Sequence, residues 1–235
     1  MSFGDKNFTY GPRIVKDGLV FYIDAANPKS YVSGDTTTNS IVSENVCSVN
    51  NGVDFTSEHN GGYVFDGSDD YIQIDPPIPQ ATTAITVNVW FKGTGAPSNN
   101  DAKGGNLFTG NPGLSHGPFL SYSWANQQVY WGIYINQTYS VATGFGQNTI
   151  HNVCGTFGRP NLKTYKNGVE VDSDTQDTNV TYQNTTSGNR IGEWGYSSYQ
   201  RNFNGQIYSL QVYNRELSAQ EVLQNYNALK GRFGL

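Results

Sequence analysis

Only one stretch of this chain reads as a convincing helix, and it lies close to the C-terminus: NGQIYSLQVYNRELSAQEVLQNYNALKGRFG, Asn204 to Gly234. Ser218 is a good N-cap, and Glu221 three residues on completes a capping box. Leu217 and Val222 are spaced for a hydrophobic staple. Val222, Leu223, Tyr226 and Leu229 fall on one helical face, and Gly231 is the expected stop. So short a helix is marginal in water and must dock on something apolar. The strand before it carries a second constraint. Leu210 and Val212 share a face while Ile207 has the opposite parity, so the strand slips phase at a bulge or is buried on both sides in turn. This reading sets the helix against one end of a sandwich, with the Lys230–Leu235 tail free to touch a neighbour.

The rest of the chain reads as strands and turns. Gly18–Asp24 is the first. Short segments follow at Val46–Val49, Val53–Phe55, Tyr63–Phe65 and Tyr71–Ile74. Ala84–Lys92 is a strong central strand, with Ile85, Val87, Val89 and Phe91 on one face and Thr86, Asn88 and Trp90 on the other. GTGAPSNNDAKGGN, residues 93–106, reads as a long loop. Strands resume at Pro118–Trp124, Val129–Ile135, Tyr139–Phe145 and Ile150–Phe157. Leu162–Tyr165 and Val169–Val171 flank Asn167-Gly168, a type I′ hairpin signal. Arg190–Trp194 and Phe203–Tyr213 complete the set. Charged residues are 14% of the chain, against about 25% in a typical domain, while aromatics also reach 14%. The fold class is therefore all-β: a two-sheet antiparallel β-sandwich with jelly-roll connections and one short C-terminal helix. No linker divides it. Residues 1–17 read as an arm and 18–235 as one domain.

Several function classes recede. A net charge of −5 without a basic stripe argues against nucleic acid. No apolar run is long enough to span a membrane, and the N-terminus lacks the apolar region of a secretory signal. Cys47 and Cys154 read as buried thiols rather than a bridge. His59, His116 and His151 show no metal spacing. Sequons at Asn7, Asn136, Asn179 and Asn184 are chance matches in an Asn- and Thr-rich chain.

Three chemistries remain. Glu170, Asp172 and Asp174 alternate along a strand and would share a face, the minimum for paired glycosidase acids; an exposed hairpin edge explains them as well. Asp66, Asp69 and Asp70, with Asp75 nearby, cluster at a turn and could offer oxygens to calcium, although Asp is an ordinary turn residue. Asp24 would join them only if the fold brings it near. Third, Val129, Trp131, Ile133 and Ile135 alternate toward the core. That leaves Tyr130, Gly132 and Tyr134 as a trough walled by aromatic rings. Tyr122 and Trp124 share one parity and could line the same face. Trp194, Tyr196 and Tyr199 sit in a polar loop. Such rings suit sugars, and equally suit sheet packing or a protein contact.

Taken together, GLVFYIDAANPKSY (18–31), VFDGSDDY (64–71), ITVNVWF (85–91), KTYKNGVEV (163–171) and NGQIYSLQVYNRELSAQEV (204–222) resemble the laminin-G-like jelly rolls of the concanavalin A-like lectin/glucanase superfamily. The arm with DGLVFYIDAANPKSY, and the ending YNALKGRFGL, are similar to structural proteins of tailed bacteriophages, notably T4-like phages of marine cyanobacteria. One departure stands out: residues 36–52 lack the Trp-x-Asp-x-Ser-Gly-Asn-Gly loop of relatives, so no metal set is carried over. The Glu-x-Asp-x-x-Glu run of hydrolase branches is also incomplete, with Thr175 at its last position.

The resemblance implies a non-enzymatic virion structural protein, made in the host cytoplasm and displayed on the capsid or tail surface. Other virion proteins would dock through the 1–17 arm, and host-surface or environmental glycans would be bound weakly. Assembly into a homo-oligomer stays open. The alternatives are a stand-alone lectin or adhesin and, behind it, a polysaccharide hydrolase.

Overall fold

The computed structural model describes residues 12–78, 83–96, 104–110, 117–133, 139–175, 188–195 and 201–235. Among these residues, two eight-stranded antiparallel sheets face each other. The back sheet runs β14 (Val169–Thr175), β13 (Asn161–Lys166), β12 (Ile150–Gly158), β7 (Ala84–Gly93), β16 (Asn204–Tyr213), β5 (Gly62–Asp66) and β4 (Asp54–Thr56), with β1 (Leu19–Asp24) also paired to β16. The front sheet runs β11 (Tyr139–Ala142), β10 (Gln128–Ile133), β9 (Pro118–Ser123), β8 (Gly105–Thr109), β15 (Asn189–Ile191), β6 (Tyr71–Asp75), β3 (Val46–Asn50) and β2 (Thr37–Asn39). The all-β sandwich expected from the sequence is the observed fold.

The core lies between the sheets and follows the period-two pattern. Ile85, Val87, Val89 and Phe91 of β7 meet Leu120, Val129, Trp131 and Ile133 of the front sheet in one cluster. The phase slip in β16 is real. Its register against β7 jumps between Ile207 and Ser209, so Ile207, Leu210 and Val212 all reach the core. Tyr208, the residue inside the bulge, turns to the outer face beside Trp90. The Asn167-Gly168 turn has φ of 52° and 81°, as a type I′ hairpin requires. Both cysteines are free and buried. Burial pushes the Cys47 thiol up to about 12 and the Cys154 thiol up as well.

Two strands escaped the sequence reading. β8, GNLFT, is buried at every position and too short to alternate. β2, TTN, has no apolar residue; its inward Thr38 hydroxyl instead bonds the Tyr63 hydroxyl at 2.7 Å and the Ser30 carbonyl at 3.1 Å.

The helix α1 (Ala219–Leu229) has its capping box in place: the Ser218 hydroxyl accepts from the Glu221 N–H, and the Glu221 side chain accepts from the Ser218 N–H. Leu217 and Val222 both enter the cluster beneath it. Its position is a correction. The helix lies across the outer face of the back sheet, not at an end of the sandwich, because that face is itself apolar. Val15, Cys154, Tyr165, Tyr213, Leu217 and Val222 form one cluster there, and Trp90, Tyr208 and Phe233 form another. Leu223 is 43% exposed, and its expected place is taken by buried Asn225. The Asn225 Oδ1 accepts from the Val15 N–H (2.8 Å), and its Nδ2 donates to the Tyr213 hydroxyl (3.0 Å). Beneath the helix an amide ladder crosses three strands: Asn152 Nδ2 donates to Asn88 Oδ1 and Asn88 Nδ2 to Gln211 Oε1.

The tail is docked as well, where a free tail was expected. A 3-10 turn over Lys230–Phe233 places the Phe233 ring on Trp90, stacked at 4.3 Å. Gly234, rather than Gly231, is the left-handed stop, with φ of 71°. Arg232 pairs with Asp24 at 2.7 Å, both side chains only 10% exposed, and also donates to the carbonyls of His59 and Gly61. The arm is held at three points: the Val15 N–H donates to Asn225 and the Arg13 carbonyl accepts from Gln224, both on the helix, and Asp17 pairs with Arg215 in the turn before it. Residues 1–11 lie outside the described residues.

Two stability experiments follow from these contacts. Replacing Arg232 by Met leaves the Asp24 carboxylate without its cation and should lower unfolding free energy by about 3–5 kcal/mol, measured by urea melts; an unchanged midpoint would show that the tail contributes nothing. Glu221 is held down at about 2, chiefly by hydrogen bonds from Arg215. A depressed carboxylate stabilises above its ordinary value near 4.5 and loses that contribution as pH falls toward its folded value. The stability gap between wild type and Glu221→Gln should therefore close between about pH 5 and about pH 2; a constant gap would refute the linkage.

Candidate functional site

With α1 and the tail on the back sheet, the outer face of the front sheet is, among the described residues, the sheet face without a helix on it. Strand register fixes its residues. On β9 and β10, Phe119 faces Gly132, Ser121 faces Tyr130, and Ser123 faces Gln128; these point outward. Leu120, Tyr122, Val129, Trp131 and Ile133 point inward. Tyr122 is therefore a core residue, not part of an outer trough. It is 2% exposed, donates to the Phe145 carbonyl at 3.2 Å, and has its phenol pushed up to about 12 by burial. Its shared parity with Trp124 was sound, but that parity belongs to the inner face. Trp124 packs half-buried against the same core.

Tyr130 does face outward, yet its ring is not a free platform. Phe119, Tyr130 and Trp194 are buried together, with Tyr139 and Val141 half-buried against them. The contacts are edge-to-face: Phe119–Trp194 at 5.7 Å and Tyr130–Tyr139 at 5.6 Å. The Arg201 guanidinium lies 5.0 Å from the Trp194 ring centre. Below these rings is a buried polar floor. Ser121 donates to Asn106 (2.6 Å), Asn106 to Thr109 (2.7 Å), and Thr109 to the Glu193 carbonyl (2.9 Å). Tyr134, Tyr196 and Tyr199 lie outside the described residues.

The accessible part of this face is the neighbouring flank, which sequence reasoning missed. Arg190 on β15 sits opposite Gln73 on β6. The Arg190 guanidinium stacks over Tyr71 with its carbon 4.4 Å from the ring centre. Its Nε donates to Gln73 Oε1 (3.0 Å) and its Nη1 to Glu193 Oε2 (2.5 Å). Tyr71, Gln73 and Arg190 are half-buried, Glu193 is buried, and Ser48 beyond Gln73 is exposed. A planar cation, an amide and a carboxylate are thus held in one orientation over an aromatic ring. Such a set can donate to and accept from adjacent hydroxyls without paying for its own ordering on contact.

Glu170 parts from the other two acids of its strand: a bulge in β14 sets Glu170 opposite Tyr165, whereas Asp172 and Asp174 stand opposite Thr164 and Leu162, so Asp172 and Asp174 share one face of the sheet and Glu170 leaves the other. Asp172 is engaged by Ser140 and the Val141 N–H at 2.6 and 2.8 Å, while Glu170 is exposed. Among the described residues, the group with metal-ligand geometry is Asp66, Asp69 and Asp70, whose ligand atoms lie within 4.8 Å of one another. Asp24 does not belong to it, being paired with Arg232. Among the described residues no helix is long and apolar enough to cross a membrane.

Two packed antiparallel sheets with a helix on one outer face define a lectin-type β-sandwich. The family comparison agrees: residues 66–223, more than half of the chain, match the Laminin_G_3 model of the concanavalin A-like lectin/glucanases superfamily, and the chain belongs to that family. Among curated proteins none matches the sequence. Of solved structures, the binding domain of botulinum neurotoxin DC in complex with SialylT is similar at a TM-score of 0.68 with 11% identity, over 91% of this chain and 52% of that one. The binding domain of Paraclostridial Mosquitocidal Protein 1 gives 0.67 with 15% identity, over 90% and 52%. Trypanosoma rangeli sialidase gives 0.65 with 13% identity, over 93% and 34%. The chain thus spans about half of the two binding-domain structures and a third of the sialidase. At these identities the likeness is one of fold.

The buried state of Trp194 has a direct consequence. Trp194→Ala should cost about 3–5 kcal/mol in a urea melt, as for a packed aromatic. An exposed platform ring would change stability by less than about 0.5 kcal/mol.

Proposed function

We propose that this chain is a non-enzymatic, glycan-recognising β-sandwich module carried on the surface of a tailed-phage particle. The observation that carries the recognition half is the preset cluster of Arg190, Gln73 and Glu193 over the Tyr71 ring, on the sheet face opposite the one that the helix covers. Sugars present apolar ring faces and pairs of hydroxyls, which suit a stacked aromatic beside fixed donors and acceptors. Membership of a lectin/glucanase family supports this reading, as does likeness to a toxin binding domain in complex with SialylT. The separation of Glu170 from Asp172 supports the non-enzymatic part, since acid–base hydrolysis needs two carboxyls flanking one bond. The virion half rests on the resemblance of residues 1–31 and of the last residues to phage structural proteins.

The two halves are tested separately. On a glycan array the purified chain should bind a defined subset of oligosaccharides. Arg190→Lys keeps a cation beside Glu193 but loses the planar fork, so it should weaken that binding about tenfold with the melting temperature unchanged. An array without binders, or full affinity in Arg190→Lys, would remove glycan recognition at this face. Mass spectrometry of purified particles should find the chain; its absence would sink the virion placement and leave glycan recognition standing.

A further inference from the structure

The ion pair on the open flank of the front sheet is only partly spent. Arg190 uses its Nε on Gln73 and its Nη1 on Glu193 Oε2. Among the described residues, no group accepts from Arg190 Nη2 and none donates to Glu193 Oε1. Neither atom is sealed from solvent, and 24% of the Arg190 side chain and 10% of the Glu193 side chain stay exposed. The Tyr71 ring backs the guanidinium at 4.4 Å and keeps the fork from tilting away. The pair therefore presents one fixed donor beside one fixed acceptor.

The charge around this pair points the same way. An arginine left unpaired favours carboxylates and sulfates, but Glu193 already neutralises Arg190. On β2, β3, β6 and β15, Arg190 is the one cation. Tyr71, Gln73 and Asp75 alternate on the outer side of β6, and Asp75 is exposed. It stands about 7 Å along the strand from Gln73. One cation thus faces two carboxylates. A carboxylate or sulfate ligand can only accept, so it could use Nη2 but would meet Oε1 as a second acceptor. Asp75 adds like-charge repulsion. A sugar hydroxyl both donates and accepts, so two neighbouring hydroxyls can engage Nη2 and Oε1 together. Resting on the glycan reading of this flank, we propose that it takes uncharged sugars through a pair of adjacent hydroxyls. Glu193 and Asp75 set the choice against carboxylated and sulfated sugars.

The test is an array of neutral glucans, galactans and mannans, each printed beside its uronate and sulfated counterparts. It is read with wild type, Asp75→Asn and Glu193→Gln. Wild type should bind at least one neutral member about tenfold more tightly than its charged counterparts. Asp75→Asn, at an exposed position, should cut that ratio about threefold by strengthening binding of the charged members. Glu193→Gln removes the carboxylate that neutralises Arg190 and should bring the ratio to about one or below. Charged members bound as tightly as neutral ones by wild type, or a ratio that neither substitution moves, would overturn the selection while leaving glycan recognition standing. An array without any binder would remove recognition itself, and the selection with it.

Discussion

The stack of Trp90 under Phe233 and Tyr226, closed by the Arg232–Asp24 pair, decides what the two faces of this molecule can be. Trp90 sits at the centre of the back sheet and points away from the core. Left bare, it and Tyr208 would be an exposed apolar patch on a flat sheet. The helix and tail cover that patch with aromatic rings stacked nearly parallel, and the Arg232 guanidinium ties the tail to the first strand and to two loop carbonyls. The two ends of the domain are thereby joined: Asp24 closes β1, and Arg232 lies three residues from the C-terminus. The outer face of the back sheet over β7, β12, β13 and β16 is thereby a packed structural surface.

The front sheet is itself divided. Its β8–β10 portion buries an aromatic cluster and a hydrogen-bonded polar floor, an arrangement that is rigid rather than open. Its β15–β6 flank carries a half-buried cation whose orientation is set by an amide, a carboxylate and an aromatic ring. Rigid support beneath and beside a preset polar cluster is what lets a shallow surface bind with little ordering cost. The Asp66–Asp70 turn at the sandwich edge is likewise fixed, by the Asn51 amide from one segment and by the Asn202 and Asn204 amides from another.

Much of the fold was legible in the residues. The period-two pattern of Ile85 to Phe91 and of Val129 to Ile133 gave the inner faces directly. The parity clash of Ile207 with Leu210 announced the bulge that the structure places at Tyr208. Ser218 and Glu221 marked the helix start to the residue. What was not legible depends on contacts distant in sequence. Arg190 and Gln73 are 117 residues apart and meet only through the β15–β6 register. The Glu170–Asp172 alternation was misleading because a single bulged residue in β14 reverses the face of one of them. Tyr122 looked like a partner for Tyr130, but neighbouring antiparallel strands align by register, and here Tyr122 stands opposite Val129. The helix could be read locally, while its docking site could not, since the apolar outer face of the back sheet is assembled from β7, β12, β13 and β16 together.

The proposed recognition surface is the open β15–β6 flank of the front sheet. Amide and side-chain chemical-shift mapping of the labelled chain during titration with a binding oligosaccharide tests it most directly. Shifts should concentrate on Ser48, Tyr71, Gln73, Arg190 and Glu193, with the Trp90–Phe233 stack silent. Shifts centred on α1 and the back sheet, or spread evenly over the surface, would contradict it.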